Sequence, residues 1–197
     1  MKKQPAGQVE AEKNRLKPTS SPLEFKGYVQ VYTGEGKGKT TAALGQAFRA
    51  AGHGYKTYFG QFLKGQPTGE IISARKLSAY LTIEQFGRKK FIKVTEDFEE
   101  ADYKLAAKGL EKCLRAMRSG QYHIIVLDEI NVAMNLGLVK EEEVHKFLDK
   151  RPDGVEVILT GRYAPESILE RADLVTEMIC RKHYYDKGVR ARKGIEK

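Results

Sequence analysis

Tryptophan is absent from this chain of 197 residues, cysteine occurs twice and proline six times. Cys113 and Cys180 are too few and too far apart for a disulfide framework or a zinc site. Each reads instead as a small apolar residue on a packed face, kept reduced. No apolar run approaches the roughly 18 residues of a membrane-spanning helix, so no membrane partner is expected. The stretch MKKQPAGQVEAEKNRLKP opens on two lysines with no apolar segment behind them, so a signal peptide is not expected and the expected address is cytoplasmic. With 41% hydrophobic and 31% charged residues, the composition is that of a water-soluble globular chain. Its length suits one domain with a full core.

Positive charge is plentiful, and it is unevenly placed. The formal net charge is +9. Residues 1–26 hold six Lys/Arg against three acids, and residues 181–197 hold seven against two. The middle of the chain is nearly neutral. Basic ends serve equally as solubilising tails or as clamps for an anionic ligand. No basic strand interleaved with aromatics is present, so a nucleic-acid partner is not expected.

Residues 1–26 read as an arm or linker, with Lys17-Pro18-Thr19-Ser20-Ser21-Pro22 showing neither helical nor strand period. Residues 27–197 read as one domain. Tyr28 to Tyr32 is a β-branched and aromatic strand. A helix follows from Lys39 to Ala51, with Leu44, Ala47, Phe48 and Ala51 on one face and Gly52 as its stop. Lys56–Leu63 and Leu81–Phe86 are strands flanking a helix over Ile71–Tyr80. A long helix over Phe98–Arg118 buries Ala106, Leu110, Cys113, Leu114 and Met117. His123–Leu127 and Val155–Thr160 are continuous apolar runs, as expected of strands covered on both faces. Helices at Glu141–Asp149 and Pro165–Arg171 and a last strand at Leu174–Ile179 complete the pattern. This alternation predicts an α/β domain whose mainly parallel sheet carries helices on both faces.

Chemistry concentrates first in Thr33-Gly34-Glu35-Gly36-Lys37-Gly38-Lys39-Thr40-Thr41, between the first strand and the first helix. Glycines let backbone N–H groups turn inward around phosphate oxygens, and the helix N-terminus adds partial positive charge. Gly34 through Thr41 are therefore candidate phosphate-binding residues, with Lys39 on the outer phosphates, reaching from an exposed loop, and the Thr40 hydroxyl on Mg²⁺. The general pattern asks for glycine where Thr33 stands. The second signal is Ile124-Ile125-Val126-Leu127-Asp128-Glu129, an apolar strand ending in two carboxylates. In such folds that end lies beside the phosphate loop, where Asp128 and Glu129 are candidate metal ligands.

The segments GEGKGKTTAALGQAFRAAGHG, QFLKG, VLDEINVAMNLGLV, VILTGRYAPESILERADLVTEM and KHYYDKGVRARKGIEK resemble the ATP:corrinoid adenosyltransferases of the CobA/BtuR/CobO type. The resemblance runs from about residue 27 to 197, and the displaced loop glycine is itself a feature of that family. It implies a P-loop NTPase-like (RecA-like) fold. It also implies transfer of the 5′-deoxyadenosyl group of ATP to cobalt(I) of a corrinoid, with release of triphosphate. Mg²⁺ is the implied cofactor. A homodimer and a reducing flavoprotein are the implied partners. Arg162 would bind the triphosphate, and His183 would lie near the active site, though a lone histidine is more often structural. Arg49 could face phosphate or solvent.

The family's usual Phe-Thr-Trp, which displaces the lower ligand of cobalt, is replaced here by Gly87-Arg88-Lys89-Lys90-Phe91-Ile92. Phe91 is the candidate displacing side chain, with Phe86 second; both could equally pack under the long helix. The competing activity is a phosphotransferase or NTPase in which water or a hydroxyl attacks the γ-phosphate.

Overall fold

Every apolar run that reads as a strand finds a neighbour, and every pairing is parallel. The structure, a computed structural model, describes residues 26–88 and 98–196. Chain order runs β1 (Val29–Thr33), α1 (Lys39–Gly52), β2 (Thr57–Phe62), α2 (Gly69–Lys76), β3 (Leu81–Phe86) and α3 (Glu100–Arg118). It continues with β4 (Ile124–Asp128), α4 (Ile130–Asn135), α5 (Glu141–Asp149), β5 (Glu156–Thr160), α6 (Glu166–Arg171) and β6 (Leu174–Glu177). A single 3₁₀ turn follows at Tyr184–Lys187. The six strands lie in the order β3-β2-β4-β5-β1-β6.

That order explains which helix covers which face. From β1 the chain steps to β2 and then β3 in one direction across the sheet, and afterwards it reverses. Right-handed crossovers then send α1 and α2 to one face and the later helices to the other. The core divides accordingly. Ile124, Val126, Ile158 and Phe59 pack with Ala43, Ala47, Ala50 and Ala74 of α1 and α2. Ile125, Leu127, Val157, Leu159 and Phe62 pack with Ala106, Cys113, Met117, Val144, Phe147 and Ile168. Within each strand the residues alternate between these two clusters, the period of two that a doubly covered sheet requires. One strand, β5, stands between the strand before the glycine loop and the strand ending in Asp128. This is the P-loop NTPase-like, RecA-like arrangement.

Close helix–sheet approach depends on small residues. A Cβ on Gly60 of β2 would lie 2.5 Å from Cys113 Sγ in α3, and one on Gly109 would lie 2.7 Å from the Phe86 ring. Glycine inside a helix costs about 1 kcal/mol relative to alanine, and here it lets α3 settle onto Phe86 and Phe62. At its start, α3 is capped reciprocally by Glu99 and Asp102, both paired with Arg88 at 2.5 and 2.7 Å.

Several readings need correction. The buried stripe of α1 is Ala43, Ala47 and Ala50, whereas Phe48 is 69% exposed. The alanines win because a helix packed tightly on a sheet excludes bulk at its contact line. The left-handed residue after α1 is Gly54, with φ 78°, rather than Gly52. Cys113 is buried as expected, but Cys180 is exposed beyond the end of β6. The short helix α4 had no sequence signal long enough to be seen.

Replacing Gly60 with alanine is expected to lower stability by about 1–3 kcal/mol through overpacking against Cys113. Adding Cys113→Ala to that variant should restore part of the loss, and denaturant unfolding of the two variants measures it.

Candidate functional site

The glycine loop joins β1 to α1 and folds against the end of β6. Gly36 N donates to Met178 O at 2.6 Å, and a Cβ on Gly34 would lie 2.6 Å from that same carbonyl. Gly34 (φ 89°) and Gly38 (φ 125°) take the positive dihedrals that the turn requires. Thr33 needs no such freedom: it is the last residue of β1, and its carbonyl accepts from Met178 N at 2.9 Å. The displaced glycine therefore has a geometric reason.

Lys39 is not on an exposed loop. It is the first residue of α1, only 8% exposed, and its Nζ donates to Gly34 O at 2.5 Å and Gly36 O at 2.7 Å. The ammonium thus spans the loop and holds its carbonyls. Burial pulls its pKa below the ordinary lysine value, partly offset by the carboxylate of Glu129.

Asp128 closes β4 with no solvent exposure. Its Oδ1 accepts from Thr40 Oγ1 at 2.8 Å and Thr160 Oγ1 at 2.7 Å. Its Oδ2 accepts from Lys64 Nζ at 2.7 Å and Gln61 Nε2 at 3.1 Å. Four donors from α1, β2, the loop after β2 and β5 thus meet one buried carboxylate, which is how such a charge is tolerated. Gln61 faces Asp128 across the β2–β4 register. Burial pulls the Lys64 pKa down, and Asp128, Glu129 and Glu70 together more than reverse this, so it ends above the ordinary value.

Glu129 follows in a left-handed conformation, φ 65°, its N–H donating to Thr160 Oγ1 at 3.0 Å. Burial first, and then Asp128 beside it, raise its pKa. Leu63, Glu129 and Tyr163 are the non-glycine residues with positive φ among the described residues. All three lie just beyond the C-terminal ends of β2, β4 and β5. Backbone strain is thus concentrated along the rim that frames the cavity.

That cavity encloses about 740 Å³. Residues Glu35 to Thr41 line it together with Lys64, Glu129, Arg162 and His183, and Leu44, Phe48, Leu77 and Leu81 add apolar lining beside Glu70 and Ser73. Arg162 pairs with Glu35 at 3.1 Å, both half-exposed. His183 accepts from Tyr185 N at its Nδ1, 3.0 Å away, which leaves Nε2 as the protonated nitrogen of the neutral ring. Gly194, Ile195 and Glu196 reach the same cavity, their segment tied down by Glu196 contacts to Tyr184 and Arg192.

The structure therefore gathers most of the sequence candidates at one place. Phe86 is not among them: it is buried in the core, 5.9 Å from the Phe62 ring, under α3. The packing role is the one it fills. Arg49 is exposed on α1 and does not line the cavity. Phe91 lies outside the described residues. Sequence reasoning missed Gln61, Lys64, Thr160 and the apolar part of the cavity lining. Lys64 stood in the QFLKG segment without a role; its position just past a strand end was the available signal. A second polar pair, His145 Nε2 and Ser167 Oγ at 3.1 Å, is no activated nucleophile. Arg171 lies against His145 Nδ1, and the serine hydroxyl donates to Glu141.

Residues 25–196 match the family model described as ATP:corrinoid adenosyltransferase BtuR/CobO/CobP. The chain belongs to this family. The corrinoid adenosyltransferase of Sinorhizobium sp. is 36% identical over 188 residues, covering 92% of this chain and 86% of that protein. That of Escherichia coli (strain K12) is 38% identical over 173 residues, covering 87% and 86%. Corrinoid adenosyltransferase CobA of Salmonella typhimurium is 38% identical over 175 residues, covering 88% and 87%. Among solved structures, flagellar accessory protein FlaH from Methanocaldococcus jannaschii superimposes with a TM-score of 0.53 at 17% identity, covering 77% of this chain and 71% of that one. That likeness concerns the fold alone. As a member of this family the chain is a corrinoid adenosyltransferase, and ATP and a corrinoid fit it as substrates.

The Glu35–Arg162 pair limits how freely the guanidinium can meet any other anion. Removing Glu35 takes a negative charge from the phosphate loop and frees the guanidinium. A half-exposed pair is worth about 0.2–1 kcal/mol, so Glu35→Gln should bind inorganic triphosphate up to about fivefold more tightly. Arg162→Ala should bind it more weakly, and calorimetry reads both.

Proposed function

We propose that the chain transfers the 5′-deoxyadenosyl group of ATP onto cobalt(I) of a corrinoid and releases triphosphate. Cobalt(I) supplies the electron pair that forms the cobalt–carbon bond at C5′. The C5′–oxygen bond breaks, and its pair leaves on the triphosphate. The observation that carries the reading is the Asp128–Thr40 contact at 2.8 Å beside Lys39, at a cavity that Leu44, Phe48, Leu77 and Leu81 also line. Because the nucleophile is a reduced metal, no protein side chain has to be activated.

In this reading Lys39 and the amides of Gly34 to Thr41 bind the triphosphate and stabilise the charge that develops on it. Arg162, paired with Glu35 of the same loop, and His183 contribute from the cavity lining. Among the described residues no three His, Cys, Asp or Glu side chains gather to hold a metal by themselves. The donor set of Thr40 hydroxyl, Asp128 and Glu129 carboxylates nevertheless suits a hard cation that takes its remaining ligands from phosphate and water. Mg²⁺ bound there would supply further neutralisation of the leaving triphosphate. Glu129 is assigned to that metal and not to activation of water.

Residues 27–197 are proposed as the catalytic domain, preceded by residues 1–26 as an arm or linker. A homodimer, a reducing flavoprotein as electron source and a cytoplasmic setting belong to the same proposal. No helix among the described residues is long and apolar enough to cross a membrane. Phe91 remains the proposed side chain that excludes the lower cobalt ligand.

The deciding experiment is an anaerobic assay with ATP, Mg²⁺ and chemically reduced cobalamin. Triphosphate and the visible spectrum of a cobalt–carbon bond are expected. Release of ADP or phosphate instead would establish attack on the γ-phosphate. Lys39→Ala should lower turnover by a factor of about 10² or more.

Phe91→Ala should lose most of its activity when cobalt(II) must be reduced on the protein, and far less with pre-reduced cobalt(I). Equal loss in both assays would show that Phe91 has no part in excluding the ligand.

A further inference from the structure

Lys64 occupies a position that neither the phosphate loop nor the paired carboxylates explain. Its Nζ lies 2.7 Å from Asp128 Oδ2 and 3.3 Å from Thr40 Oγ1. It therefore bridges the two residues whose oxygens are assigned to the metal. The backbone on either side is pinned. Leu63 holds φ 61° and donates to Phe86 O at 3.2 Å, while a Cβ on Gly65 would lie 2.2 Å from Gly87 O. The four-carbon stem of Lys64 can move, but the loop that carries it has little room to do so.

A divalent cation held by these oxygens, at the short distances Mg²⁺ demands, would lie within a few ångströms of the ammonium. Two cations that close repel strongly in a site with little water. Lysine and metal are therefore alternative occupants of one set of oxygens. With neither present, the fully buried Asp128 carboxylate would have only neutral donors, which is costly for a charge removed from solvent.

We propose that Lys64 is a resident counter-ion, which neutralises Asp128 while the site is empty and yields to the metal when it arrives with the nucleotide. The displaced ammonium then turns to the triphosphate oxygens in the cavity that Lys64 already lines. Free divalent metal is kept out, and metal and nucleotide enter together. The inference rests on the reading of Thr40 and Asp128 as metal-holding residues.

The test uses the full chain and Mn²⁺, with bound metal read by electron paramagnetic resonance, in the presence and absence of ATP. The parent should bind Mn²⁺ tightly only with ATP. Lys64→Met should bind nucleotide-free Mn²⁺ at least tenfold more tightly than the parent, and inorganic triphosphate with Mn²⁺ at least tenfold more weakly. Lys64→Arg, which keeps the charge, should exclude free metal as the parent does. Lys64→Gln keeps a neutral donor to Asp128 and serves if Lys64→Met fails to fold; its metal binding should follow that of Lys64→Met. If removing the charge leaves nucleotide-free Mn²⁺ binding unchanged while Asp128→Asn abolishes binding of Mn²⁺ with ATP, the counter-ion role is overturned and the metal assignment stands. If Asp128→Asn leaves binding of Mn²⁺ with ATP intact, the metal assignment falls and takes this inference with it.

Discussion

A carboxylate with no access to water has to be met by donors, and the site is organised around that requirement. Asp128 accepts from Thr40, Gln61, Lys64 and Thr160. Those residues come from the helix after the phosphate loop, from β2, from the loop after β2 and from β5. A single buried charge thus ties together four segments distant in sequence. Removing one donor would leave the others to carry a charge that the interior does not solvate. The phosphate loop, the strand rim and the lysine beyond β2 are positioned with respect to that one group.

The sheet makes this meeting possible. With β5 between β1 and β4, the C-terminal ends of β2, β4, β5 and β1 form a continuous rim. Alternation along each strand puts Gln61, Asp128 and Thr160 on the face covered by α1, following Phe59, Val126 and Ile158 of the same strands. The polar residues therefore continue the same rows that build the core below. Close packing sets the level of that rim. The alanines of α1 on one side, and Gly60 and Gly109 against Cys113 and Phe86 on the other, bring helices near the sheet without bulk between them.

The mixed lining of the cavity has a functional consequence. The loop from Glu35 to Thr41, Lys64 and Arg162 suit a polyanion, and Leu44, Phe48, Leu77 and Leu81 add apolar surface to the same space. Phe48 was read as a core residue, and its exposure makes sense once it lines a cavity wall. The segment carrying Gly194 to Glu196 returns to this cavity from the far end of the chain, joined by Arg192 stacked over the Tyr184 ring at 4.9 Å.

What the sequence alone determined is what depends on neighbours along the chain. The period of two in Val155–Thr160, the helical period in Phe98–Arg118, the glycines around Lys39 and the acids closing Ile124–Asp128 were all legible, because each is enforced over a few residues by backbone sterics and local burial. The alternation of these elements was enough for a parallel α/β sheet. Only the tertiary structure added Gln61, Lys64 and Thr160 to the site. Gln61 meets Asp128 through the register of two parallel strands, which their cross-over packing sets and no local pattern encodes. The face of α1 was misread for a related reason: an alanine-rich helix has two overlapping apolar stripes, and the sheet beneath it selects the smaller one. Lys64 illustrates the limit most clearly. A lysine after a strand reads as solvated until the fold brings a buried carboxylate within 2.7 Å of it.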